Sequence, residues 1–106
     1  MWSVEFVSAV ALAEMQALPS DLRSKFLRIA DMIESHGLER MREPYVKHLE
    51  GKLWEIRLKG RVGIARSLYV TTIGRRVVVV RTFMKKTQET PRREIELALA
   101  RAREIR

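Results

Sequence analysis

LWEIRLKGRVGIARSLYVTTIGRRVVVVRTFMKKTQETP, residues 53–91, is built as strands. Its apolar residues alternate at period two, so that Trp54, Ile56 and Leu58 share one face of a strand over 53–58 while Glu55 and Arg57 share the other. Residues 59–63 hold two glycines and read as a turn, residues 64–72 as a second strand, Gly74 as a second turn and residues 77–84 as a third strand. The unbroken valines at 77–80 predict a central strand covered on both faces. Between Arg57 and Gln88 there are nine Lys or Arg residues and no Asp or Glu. Residues 1–56 carry seven basic and nine acidic groups, residues 89–106 five and four, so the net charge of +8 belongs almost entirely to this sheet.

Upstream, Trp2, Val4 and Phe6 alternate with Ser3 and Glu5 as a short first strand. Ser8 is placed to cap a helix over 9–18 that Pro19 ends. Ser20 is placed to cap a second helix, in which Leu22, Phe26, Ile29, Ala30 and Ile33 recur at helical spacing, and Gly37 is placed to end it. Over 38–50 the periodicity dissolves and Pro44 excludes a continuous helix, which predicts an irregular connection bringing Tyr45, Lys47 and His48 to the sheet edge. Downstream, Thr90 and Pro91 read as N-cap and first residue of a last helix whose stripe is Ile95, Ala98, Leu99, Ala102 and Ile105. The expectation is an α+β fold of order β-α-α-β-β-β-α. A small, mostly antiparallel sheet carries an N-terminal helical hairpin on one face, its other face is partly open, and a helix closes the chain. Arg57 points to the open face, and Arg66 or Arg81 joins it according to a strand register that alternation leaves undetermined.

The 106 residues fit a single domain over 1–106. With no cysteine there is neither a disulfide framework nor thiolate chemistry, and two histidines with eleven residues between them make a poor metal site, so no metal or cofactor is expected. Glu5 and Glu14 interrupt the apolar N-terminal stretch, which has no basic flank, so neither a signal peptide nor a membrane span is expected and the protein reads as cytoplasmic. A localised basic excess on strands points to nucleic acid or an acidic protein as partner rather than a membrane.

LEGKLWEIRLKG, then RSLYV, then VVVVRTFMKKTQETPRREIELALARAREI resembles the RelE/ParE superfamily of type II toxins, closest to its HigB-like, phage-derived branch. The resemblance covers nearly the whole chain. It rests most on Leu53-Trp54-Glu55-Ile56-Arg57, on Arg66 with Tyr69 three residues on, and on Phe83-Met84-Lys85-Lys86-Thr87-Gln88 leading into Thr90-Pro91. It implies a RelE-like fold and a toxin that cleaves messenger RNA, usually on the ribosome. An antitoxin, in the HigB-like branch typically a helix-turn-helix protein, holds it inactive, and operator DNA is bound only through that complex. Its implied catalytic residues are Arg57, Arg66, Lys85 and Lys86, with Lys47, His48, Lys52, Arg61, Arg81 and Phe83 as RNA contacts. Metal-free cleavage by 2′-hydroxyl attack suits these residue types: arginine forks match phosphate oxygens, and a lysine among cations has its pKa lowered toward neutrality. In one respect the chain departs from the pattern. Where some HigB-like toxins carry a histidine or tyrosine at the end of the last strand, it has Thr82, Phe83, Met84 and two lysines, which leaves His48 as a substitute acid or base. Two other functions stay open: a gyrase-poisoning relative that cleaves no RNA, and an inactive antitoxin-binding, operator-repressing module.

Overall fold

A computed structural model of the chain describes residues 1–105. In order, the elements are β1 (Ser3–Phe6), α1 (Ala9–Gln16), α2 (Ser20–His36), a short 3-10 turn at Leu38–Arg40, β2 (Val46–Glu50), β3 (Leu53–Lys59), β4 (Ile64–Thr72), β5 (Arg76–Lys85) and α3 (Arg92–Ala102). One sheet runs β1-β5-β4-β3-β2, antiparallel throughout except for β1, which lies parallel to β5. The expected order therefore lacked a strand. Residues 46–50 are not an irregular connection but an edge strand, pairing Val46 with Ile56, Lys47 with Glu55 and His48 with Trp54.

The helices form where the sequence places them, but two of the expected caps are not made. The first is Ser20, which is the first residue of α2, with Pro19 at the cap position and no side-chain capping hydrogen bond. Ser8 Oγ accepts a hydrogen bond from the Ala11 amide at 3.2 Å and starts α1. Gly37, at φ 92°, ends α2. α2 sinks Leu22, Phe26, Ile29 and Ile33 into a core shared with Ile56, Leu58, Ala65, Tyr69, Val77 and Val79. Burying each of those four side chains contributes roughly 1.5–3 kcal/mol against leaving it exposed. Across the sheet α3 buries Ile95 and Ala98 against Leu53, Leu68, Val70, Val80 and Phe83. The valine strand is thus covered on both faces, as a central strand requires. The second missing cap is Thr90, whose hydroxyl does not cap α3 but donates to Glu55 Oε1 at 3.1 Å, while Pro91 takes the cap position ahead of Arg92.

One bulge decides which side chains reach which face. Leu68 pairs with Arg81 while Tyr69 pairs with Val79, so Val80 is an extra residue in β5. Before it, Val77 and Val79 turn toward α2; beyond it, Arg81, Phe83 and Lys85 turn to the opposite face. Unbroken alternation would have driven those three into the α2 core. β1 pairs with β5 only as far as Val79, and past that point α1 takes the place of a neighbouring strand. There the Glu14 carboxylate accepts from the Thr82 amide at 3.4 Å, and Arg101 donates to the Val80 carbonyl at 2.9 Å. The expected hairpin therefore divides: α2 covers a face, and α1 closes an edge.

The turn between β3 and β4 is tied to α2 by Asp21, whose Oδ2 accepts from the Arg61 amide at 2.8 Å. Gly60 makes that approach possible, because a Cβ there would stand 2.3 Å from Asp21 Oδ2 and 2.9 Å from Leu22 Cδ2. Gly60→Ala is expected to lift the turn off the helix and destabilise the fold by about 1–3 kcal/mol, read by thermal unfolding. A variant as stable as the wild type would show that this contact yields without cost.

Candidate active site on the basic sheet

Three cross-strand rows build the face opposite α2. Lys47, Glu55, Leu68 and Arg81 form one; Arg57, Arg66 and Phe83 the next; Lys59, Ile64 and Lys85 the third. α3 covers the Leu68, Arg81 and Phe83 end. The uncovered corner is a shallow cleft of about 310 Å³ bounded by Lys47, Glu55, Arg57, Lys85, Gln88 and Thr90.

Glu55 is the centre of this corner and is only 4% exposed. Its Oε2 lies 3.5 Å from Arg66 Nε and 3.7 Å from Arg57 Nε, and its other oxygen takes the Thr90 hydroxyl. Arg66 is equally buried, donates Nη1 to the Ala65 carbonyl at 3.0 Å, and leaves Nε without a hydrogen-bond acceptor. Burial pulls its guanidinium below the ordinary arginine value; the Glu55 charge opposes this and the Arg57 charge adds to it. It stays charged at any physiological pH. Arg57 differs from it in access. Its side chain is one-third exposed, and its contacts with Glu55 and Glu43 are long, at 3.7 and 3.8 Å. Lys85 donates its ammonium to the Gln88 carbonyl. Burial, then repulsion from Arg66, Arg57 and Lys47 against the attraction of Glu55, holds its pKa below the usual lysine value.

Arg57, Arg66, Lys85 and Lys47 are therefore brought together. The other expected residues are not. Lys86 lies one residue past β5, exposed, in a neighbouring cleft formed by residues 83–94. His48 borders the same cleft, but its ring is bonded through Nε2 to the Gly51 carbonyl at 2.8 Å and set edge-on to Trp54 at 5.1 Å, on the α2 side of its strand. Lys52 sits in the β2–β3 turn and Arg61 in the β3–β4 turn, both exposed. Arg81, expected on RNA, is held by Glu14 and Glu94, each at 2.7 Å, and stacks over Phe83 at 5.9 Å. Phe83 is itself core, 8% exposed. Glu55 and Thr90 were absent from the expected set. The signal for Glu55 was the alternation that places it beside Arg57; Thr90 gave none, since its sequence context is that of a helix cap.

The family described as Phage derived protein Gp49-like (DUF891) matches residues 13–103. Among solved structures, the archaeal RelE-RelB complex from Pyrococcus horikoshii OT3 contains a similar chain, with a TM-score of 0.56 and 23% identity over 78% of this chain and 93% of that one. At that identity the likeness is one of fold. No curated protein matches the chain. No helix among the described residues is long and apolar enough to cross a membrane.

Proposed function

The chain belongs to the phage-derived Gp49-like family of RelE/HigB-type toxins, and from that premise we propose that it is the toxin of a type II toxin-antitoxin pair, a metal-independent endoribonuclease acting on messenger RNA at the ribosome in the cytoplasm. The observation that carries the reading is the joining of Arg57, Arg66 and Lys85 around a buried carboxylate at the uncovered corner of the sheet. A cluster of fixed cations suits a reaction whose transition state gathers negative charge on phosphate oxygens. Arg57, the accessible guanidinium, meets the phosphate. Arg66 adds its charge from behind, and Glu55 positions both. Lys85 takes the 2′-hydroxyl proton as the 2′-oxygen attacks phosphorus. The bond from phosphorus to the 5′-oxygen breaks to leave a 2′,3′-cyclic phosphate, and the departing 5′-oxygen takes a proton from water. The need for a 2′-hydroxyl restricts the substrate to RNA. A small helix-turn-helix antitoxin restrains the toxin and brings the pair to operator DNA. The solved neighbour, itself a complex of RelE with RelB, supports a protein partner.

Induced expression in a bacterial host tests this reading. Growth arrest with new, codon-phased 5′ ends in messenger RNA is expected from the wild type and from neither an Arg57→Ala, Arg66→Ala double variant nor a wild type co-expressed with its antitoxin. Arrest with intact messages and altered DNA supercoiling would replace the nuclease with a gyrase poison, and a folded chain that arrests nothing would leave an antitoxin-binding module. The proton role has its own readout. If neutral Lys85 is the acceptor, cleavage rises with pH through its lowered pKa, and Lys85→Arg, which keeps the charge but holds its proton, flattens that rise. An unchanged pH profile would remove Lys85 from proton transfer.

A further inference from the structure

We propose that a groove between α2 and the open end of the sheet is an RNA subsite that seats the nucleotide beside the scissile phosphate. The groove, of about 410 Å³, is walled by Lys25, Arg28, Tyr45 and Lys59 over a floor that includes Ile29 and Ile64. Lys25 and Arg28 stand three residues apart on α2 and so share one face of the helix. Neither they nor Lys59 has an acidic partner among the described residues, whereas Arg76, Arg81, Arg92 and Arg101 are all paired. Tyr45 is 45% exposed, and its carbonyl accepts the Arg57 amide at 2.8 Å, which locks its backbone to the strand that carries the candidate charge stabiliser. The opposite wall is held by Asp21 through the Arg61 amide.

Unpaired cations around an exposed aromatic ring and an apolar floor are what single-stranded nucleic acid uses: phosphates meet the cations, and a base stacks on the ring. An acidic polypeptide would also meet the cations. Continuity selects RNA, because Arg57 and Arg66 close the end of this groove and are the same side chains that face Glu55 in the catalytic corner. A strand whose phosphate rests on Arg57 passes directly into the groove. The subsite depends on the nuclease reading for its place beside a scissile bond, but not for its chemistry.

The test is fluorescence anisotropy of a short labelled oligouridylate, 2′-O-methylated so that it cannot be cleaved, titrated with the full chain at several salt concentrations. Tyr45→Ala is expected to weaken binding about tenfold at fixed salt with the salt slope unchanged, and Tyr45→Phe to restore it. Lys25→Ala with Arg28→Ala is expected to reduce the slope of log affinity on log salt by about 1.4, two phosphate contacts of roughly 0.7 each. All these side chains are exposed, so thermal unfolding should match the wild type. Unchanged affinity and slope in both variants would overturn the subsite. So would displacement of the RNA by polyglutamate with Tyr45→Ala inert, which would assign the groove to an acidic protein. Tyr45-dependent binding without cellular cleavage keeps the subsite and removes the nuclease reading; cleavage with groove variants that bind normally does the reverse.

Discussion

Arg57→Ala is expected to cleave RNA about 10²–10³-fold more slowly than the wild type at unchanged thermal stability, whereas Arg66→Ala is expected to lose cleavage and stability together. Removing one preorganised charge donor from a phosphoryl or acyl transition state typically has an effect of the first size. The two arginines part company in their burial. Arg57 has a side chain 33% exposed and no contact with an acid shorter than 3.7 Å, so its loss strands nothing. Arg66, with a side chain 5% exposed, is the nearest cation to a buried carboxylate, and its removal leaves both a cavity and an uncompensated charge. That costs about 3 kcal/mol, or roughly 10–20 °C in Tm for a domain of this size. Single-turnover cleavage on isolated ribosomal complexes and thermal unfolding by circular dichroism read the two effects. An Arg57→Ala chain that cleaves normally would dismiss it as a charge stabiliser, and equal stability of the two variants would contradict the burial of Arg66.

A loss of stability as large as that of Arg66→Ala is expected at Glu14→Gln, away from the candidate site. Glu14 takes Arg101 in two hydrogen bonds of 2.8 and 2.9 Å and Arg81 at 2.7 Å, and Arg81 in turn takes Glu94 at 2.7 Å. The four side chains, between 9% and 22% exposed, bolt α1, β5 and α3 together. Without the Glu14 charge, Arg81 keeps Glu94 alone and the partly buried Arg101 loses its acidic partner. A loss of about 2–4 kcal/mol, or roughly 10–20 °C, follows at neutral pH. Acid should erase the difference. Burial raises the Glu14 pKa, but the Arg101 hydrogen bond, the Arg81 charge and the Thr82 amide outweigh it, so the folded value lies below the ordinary 4.5. A depressed folded pKa adds stability that is fully present above the unfolded value and is lost as the pH falls through the folded one. Melting both proteins at pH 7 and pH 3 checks this: the gap should narrow in acid, and a gap of equal size at both would mean that packing, not charge, held the network. Glu50→Gln, at the exposed pair with Arg92, serves as a control that should barely change Tm.

What could be read from the chain was what leaves a periodic trace. α2 announces itself through Leu22, Phe26, Ile29 and Ile33, and the outward aim of Arg57 follows from its alternation with Ile56 and Leu58. β2 left almost no trace because it is a five-residue edge strand with a half-exposed pattern, in which Lys47 and His48 are solvated and Pro44 stands just ahead. The bulge was invisible for a sharper reason. A run in which every residue is valine fits the sheet equally well in either phase, so nothing in residues 77–80 could reveal that the alternation slips there. That slip governs where Arg81, Phe83 and Lys85 point, and with it the membership of the site. Pairings between distant acids and bases were equally hidden: Glu14 meets Arg81 and Arg101 across 67 and 87 positions of sequence, and composition says only that both signs are present.

The Thr82 amide stands apart from those of the strand around it. Its hydrogen is held by a carboxylate on α1 rather than by a ladder carbonyl, at a length of 3.4 Å that marks a weak bond. Solvent deuterium should therefore reach it whenever α1 lifts away, with the sheet still intact, while the amides of Val78 and Val79 exchange only on deeper opening. A single backbone position thus reports the docking of the first helix in real time, and would register any partner that pries that helix loose before the core itself responds.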